Sequence, residues 1–278
     1  MAFPTIPTGA RVVSNNQANT TATRTFPNLS GLTKNAGDLL IAICCVYQAS
    51  GTGATFSGWT AGWTEFADFG TSGTTMGIGM AYKWSTGSET GTIAVTQAGT
   101  PTGHASMMIL SIPGAHATTP PEAGSFASGT GAANPASFDP AGWAAEDTLW
   151  IAVGGNGETS ATGTWTGMGS APTNYSNYVD TATADTSTVG QSELAVAFRQ
   201  LNASAENVGA FAGGDTSNAR DCACIIAVRP APVVVSRTAS DTGADMSSAD
   251  SIVATKTVKG PVHTSMRRRA AHRFLTVR

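Results

Sequence analysis

Charge is scarce in this chain. Charged residues make up 12% of its 278 positions, about half the share usual in globular domains. A surface laced with ion pairs is therefore excluded, and its polarity must come from Gly, Ser, Thr and Ala. Long apolar runs are also missing: the longest, Leu39 to Val46, is far short of the roughly 20 residues a membrane-crossing helix needs, so no membrane association is expected. The opening MAFPTIPTGARVV carries Pro4 and Pro7 and no basic stretch leading into an apolar core, so no export signal is expected. Helical periodicity is lacking before residue 260, whereas 32 glycines and many small hydroxylic residues favour short strands joined by turns.

The familiar catalytic patterns are absent too. His104, His116, His263 and His272 are scattered without ligand spacing, so no metal or cofactor is expected. There is neither a Gly-x-Ser-x-Gly elbow nor a Gly-x-x-x-x-Gly-Lys phosphate loop. The four cysteines form Cys44-Cys45 and Cys222-Ala223-Cys224, inside apolar runs, which suits small buried hydrophobes better than zinc ligands. A bridge between the two groups requires their strands to be neighbours. Glu65 and Asp68 follow Trp59 and Trp63 and invite a glycosidase reading, but spacing alone does not define a catalytic carboxylate pair. The simpler reading packs a tryptophan ring into the core and leaves the acids on a solvated loop. The chain is expected not to be an enzyme. Trp59, Trp63, Tyr175 and Tyr178 are kept as candidate glycan contacts.

What the chain does have is an order of blocks that occurs twice. NAGDLLIAICCVYQ at 35–48 is matched by AAEDTLWIAVGGNGE at 144–158, and FSGWTAGWTEF by TGTWTGMG. AYKWSTGSE is then matched by VAFRQLNASAE, and ILSIP by IIAVRP; the offset is about 109 residues at the first block and about 116 at these last two. Constant order with a small change of offset is the mark of related halves with loop insertions. Leu39 to Val46 and Leu149 to Val153 read as central strands buried on both faces. Ile78, Met80, Tyr82 and Trp84, like Leu194, Val196 and Phe198, alternate with other residues as half-buried strands do.

About ten strands follow from this pattern. The expected fold is all-β: a two-sheet antiparallel β-sandwich, jelly-roll-like, with an internal pseudo-repeat whose halves (about 25–115 and 140–230) each contribute strands to both sheets. The segment 115–142 contains Phe126 and Phe138 and is expected to pack over a sheet edge. The sandwich domain is placed at 1–232. From 233 to 278 the composition turns Ser/Thr/Asp-rich and reads as an extended arm. Its end differs in charge: residues 1–260 carry ten basic and eighteen acidic residues, whereas the last 18 hold five arginines and no acid. Arg267, Arg268, Arg269, Arg273 and Phe274 are therefore candidate partner-docking residues. The acidic body disfavours nucleic acid as that partner.

The Gly-Asp-Leu-Leu-Ile-Ala block, the Gly-Trp-Thr turn at 62–64, AYKWSTGSETGTIAVT and the Leu-Trp-Ile-Ala-Val block together resemble a β-sandwich family of virion proteins from tailed bacteriophages, especially those infecting actinobacteria. The likeness covers about residues 25–230, and the Ser-Arg-Thr-Ala-Ser-Asp-Thr-Gly-Ala stretch at 236–244 is similar to linkers in such proteins. The resemblance implies a non-enzymatic structural protein of the virion, a minor tail protein or alternatively a capsid decoration protein or head fibre. Other virion proteins are its expected partners, with a homo-oligomer such as a trimer, assembly in the host cytoplasm, and host cell-wall glycan as a further ligand. It carries over no catalytic residues.

Overall fold

The computed structural model describes residues 2–17, 22–48, 54–70, 76–98, 103–129, 133–158, 168–182, 191–213 and 220–232. The chain divides into units Met1–Pro232 and Val233–Arg278, and every described residue lies in the first. The arm and its arginines thus lie outside the described residues.

The first half supplies β1 (Arg11–Gln17), β2 (Thr23–Thr25), β3 (Ala36–Tyr47), β4 (Phe56–Ser57), β5 (Thr64–Phe69), β6 (Met76–Thr86), β7 (Ala94–Gln97) and β8 (Ala105–Ile112). The second supplies β9 (Glu122–Ala123), β10 (Ala127–Gly129), β11 (Glu146–Glu158), β12 (Met168–Ser170), β13 (Ser176–Ala182), β14 (Gln191–Ala203), β15 (Ala212–Gly213) and β16 (Arg220–Val228). Among the described residues the only helix is a 3-10 turn, Leu29–Gly31. The protein is an all-β sandwich, and every strand pairing among the described residues is antiparallel.

Two large sheets face each other. The first has the order β1-β8-β3-β6-β5 and the second β10-β16-β11-β14-β13, with β9 also pairing β16. Reading each from its own half, the orders correspond strand for strand. In the stack, β8 lies against β14 and β6 against β16, while at the edges β1 lies against β13 and β5 against β9. On its outer side each large sheet carries a small one, β2-β7-β4 over the first and β12-β15 over the second.

This differs from the expectation that each half contributes strands to both large sheets. Each half completes a large sheet of its own and does not share strands between the two. The physical reason lies in the covers, because a sheet with an outer cover and an inner partner buries both faces without borrowing strands from the other half.

Three cores result, and strand alternation assigns residues to them. In β3, Leu39, Ile41, Ile43, Cys45 and Tyr47 enter the central core, while Leu40, Ala42, Cys44 and Val46 enter the outer core of the first half. β11 does the same with Leu149, Ile151 and Val153 inward and Trp150 and Ala152 outward. This is why both runs are apolar without a break. β6 shows the complementary solution: Ile78 and Met80 fill the central core, while Gly77, Gly79 and Ala81 lie beneath the outer cover. A side chain at 79 would meet the Phe56 ring at 2.5 Å, so the small face of β6 is a seat for the cover and is not solvent-facing.

Equivalent polar clasps close both halves. Lys83 pairs with Glu89 at 3.4 Å in the first, and Arg199 with Glu206 at 2.7 Å in the second. Glu89 also accepts from Thr86 N at 2.6 Å and Ser85 Oγ at 2.8 Å. Burial acts to raise the Glu89 pKa, but the combined hydrogen bonds from Thr86 and Ser85 outweigh it and bring the carboxyl down to about 2. The described parts of segment 115–142 lie along the second sheet: β9 and β10 pair β16, and Phe138 exchanges backbone hydrogen bonds with Glu206.

Candidate functional site

Of the aromatic residues singled out in the sequence, two are core residues. Trp63 is buried in the outer core of the first half, and Tyr175 in that of the second. Tyr175 is held by burial and by the neighbouring Glu206 charge with its pKa above the ordinary phenol range. Tyr178 is half-buried, tilts against Phe211 at 6.5 Å and donates its hydroxyl hydrogen to the Met168 carbonyl. The structure does not bring these four side chains to one surface. Trp63 and Tyr175 serve packing, for a reason invisible in loop composition: the small covering sheets need large rings beneath them.

Trp59 remains half-exposed. Its ring tilts against Phe26 at 5.6 Å, and its indole nitrogen donates to Glu65 Oε2 at 2.7 Å. The carboxylates Glu65 and Asp68 lie on edge strand β5, separated by a register shift. Asp68 Oδ2 accepts from Phe56 N at 3.0 Å. Its carboxyl is raised by partial burial, offset by that backbone hydrogen bond and reinforced by the Glu65 charge. One acid thus steadies a tryptophan and the other ties the outer cover to the edge of the large sheet.

An aromatic seam that sequence reading missed runs along β5 and β6. Phe66, Tyr82 and Trp84 are each half-buried, with Phe66 edge-on to Tyr82 at 6.0 Å and Tyr82 edge-on to Trp84 at 6.4 Å. Phe69 stacks on Phe126 at 5.5 Å. The period of two in AYKWS does place Tyr82 and Trp84 inward, but β5 is an edge strand, so the core there is open and the rings stay partly exposed.

Two buried polar sites also lacked a sequence signal. Arg24 is fully buried and donates from Nε to Gln97 Oε1 at 2.8 Å and from a terminal nitrogen to the Gly103 carbonyl at 2.9 Å; burial lowers its pKa. In the second half Glu193, Asn156 and Asp221 occupy one row across β14, β11 and β16, all buried. Glu193 accepts from Met168 N at 2.8 Å. Burial, together with hydrogen bonding to Asp180 and the charges of Asp180 and Asp221, outweighs the Met168 bond and pushes Glu193 up to about 8.

Among the described residues no group of three or more His, Cys, Asp or Glu side chains is arranged to hold a metal ion, and no helix is long and apolar enough to cross a membrane. No protein-family model, curated protein or solved structure matches the chain.

Proposed function

We propose that this protein is a non-enzymatic structural component of a bacteriophage virion, a minor tail protein displayed on the particle and held there by the arm at 233–278. One observation carries the reading: the blocks that resemble the phage family are scaffold. Gly37 to Val46 and Leu149 to Val153 are the central strands, and Lys83 to Glu89 is the clasp. Several of the carboxylates that might have served catalysis are engaged instead in holding turns, covers and ion pairs. A body of this kind suits a repeated part of an assembly, and docking of the arm at 233–278 supplies attachment. Virion proteins are the proposed partners, and a capsid decoration protein or head fibre is the alternative position. Measuring the mass and copy number of the chain in purified particles tests the proposal. Its absence from the particle overturns it, and hundreds of copies favour the head over the tail.

A second reading, a module binding host cell-wall glycan, is favoured by the adjacent half-exposed rings of Tyr82 and Trp84. Aromatic faces next to polar groups suit sugar stacking. On an array of cell-wall glycans, the native protein is retained and Tyr82→Ala or Trp84→Ala is released; equal elution of all three removes this reading.

A further inference from the structure

The four thiols are separated by strand alternation. Cys44 enters the outer core of the first half, while Cys45, Cys222 and Cys224 enter the central core. Cys45 stands on β3 of the first large sheet and Cys222 on β16 of the second, so these two face each other across the seam between the halves. The Cys45 thiol is close enough to act on Cys222, adding to the effect of burial in raising its pKa.

Gly155 on β11, the register partner of Cys222, makes the contact possible. A Cβ at 155 would lie 2.5 Å from Cys45 Sγ and 2.6 Å from Cys222 Sγ. The two sulfurs therefore fill the space that any side chain there would take. The two sulfurs, each next to the same point above Gly155, are therefore no more than about 5 Å apart, and an S–S bond of about 2 Å forms when the strands that carry them close by that difference. Cys44 and Cys45 point to opposite faces, and Cys222 and Cys224 stand roughly 7 Å apart along one strand; Cys224 also neighbours Cys45, but Cys222 is the one that shares with Cys45 the space above Gly155.

We propose that Cys45 and Cys222 are a modification site, an inter-sheet disulfide that forms on exposure to a low-molecular-weight disulfide and locks the two halves together. One cysteine, as thiolate, attacks the external disulfide, forming a mixed disulfide and releasing one small thiol. The other then loses its proton and attacks the protein-bound sulfur, forming the Cys45–Cys222 bond and releasing the second small thiol. The protein thiols are oxidised, one external disulfide is reduced to two thiols, and the two protons end on the released thiols. Burial and the neighbouring Cys45 thiol hold Cys222 well above the ordinary thiol range. Reaction is accordingly slow in the closed core and proceeds when the strand end opens; Cys222 lies two residues from the exposed Arg220.

The test uses the full chain incubated with oxidised glutathione, both folded and during refolding from urea, followed by alkylation and peptide mapping without reduction. The expected result is a Cys45–Cys222 cross-linked peptide, two fewer titratable thiols after denaturation, and a higher urea midpoint that dithiothreitol reverses. The double variant Cys44→Ala/Cys224→Ala retains all three signals, whereas Cys45→Ala or Cys222→Ala loses the oxidant-dependent midpoint gain. Four titratable thiols under both conditions, or a bridge joining any other pair, overturns the proposal.

Discussion

The most consequential single residues are charged groups in places where a low-charge chain ordinarily puts none. Glu193 has a folded-state pKa of about 8 against an ordinary 4.5, so the fold favours its protonated form. Its contribution is complete below pH 4.5 and is lost as pH rises through 8. Chemical denaturation across that range should show stability falling by on the order of a few kcal/mol, and Glu193→Gln should flatten the profile. Glu89 behaves in the opposite sense: its carboxyl is held at about 2, so its contribution is present above pH 4.5 and is lost as pH falls through 2. Arg24→Ala removes the donors to Gln97 and Gly103 along with a large buried side chain, at an expected cost of about 3 kcal/mol in urea unfolding. None of these roles was legible in sequence. An arginine in TATRTF and a glutamate in GQSELAV look like surface residues until the covering layer is known.

At the level of elements the sequence speaks more clearly, because a strand carries its own face assignment. The unbroken apolar runs of β3 and β11 announced central positions, and the alternation in β6 announced one large-residue face. The fate of its small-residue face was not announced, since Gly77 and Gly79 serve equally on a solvated surface or under Phe56. Trp150 is fully buried on the outer side of β11, with its indole nitrogen 3.4 Å from the Leu201 carbonyl. Trp150→Ala is expected to cost about 3–5 kcal/mol in thermal or urea unfolding. The clasps offer a paired comparison: Glu89→Gln and Glu206→Gln each break an ion pair whose acid is buried, and each should lower stability by about 1–3 kcal/mol. A large effect at one site with none at the other would show that the two clasps differ in their work despite equal placement.

For the whole molecule, the central seam governs behaviour. Each large sheet presents a mainly apolar inner face to the other, crossed by the hydrogen bond from Ser106 Oγ to the Ser192 carbonyl at 2.8 Å, so halves made as separate chains, 1–116 and 117–232, should co-purify when expressed together and aggregate when expressed alone. Co-precipitation and light scattering check this. Deleting 233–278 should leave a soluble, cooperatively folding body that no longer enters particles; normal incorporation of the truncated chain would remove the anchor from the proposed function. By itself, the sequence determined the all-β class, the central strands and the burial of the cysteines, because side-chain alternation and turn chemistry are local properties of the backbone. Only the tertiary structure decided that each half keeps a large sheet to itself and that Trp63 and Tyr175 are core residues. It likewise decided that Cys45 meets Cys222 and that Glu193 is buried beside Asp180 and Asp221. Those outcomes depend on which layer lies over which face, and that is set by contacts between residues far apart in the chain.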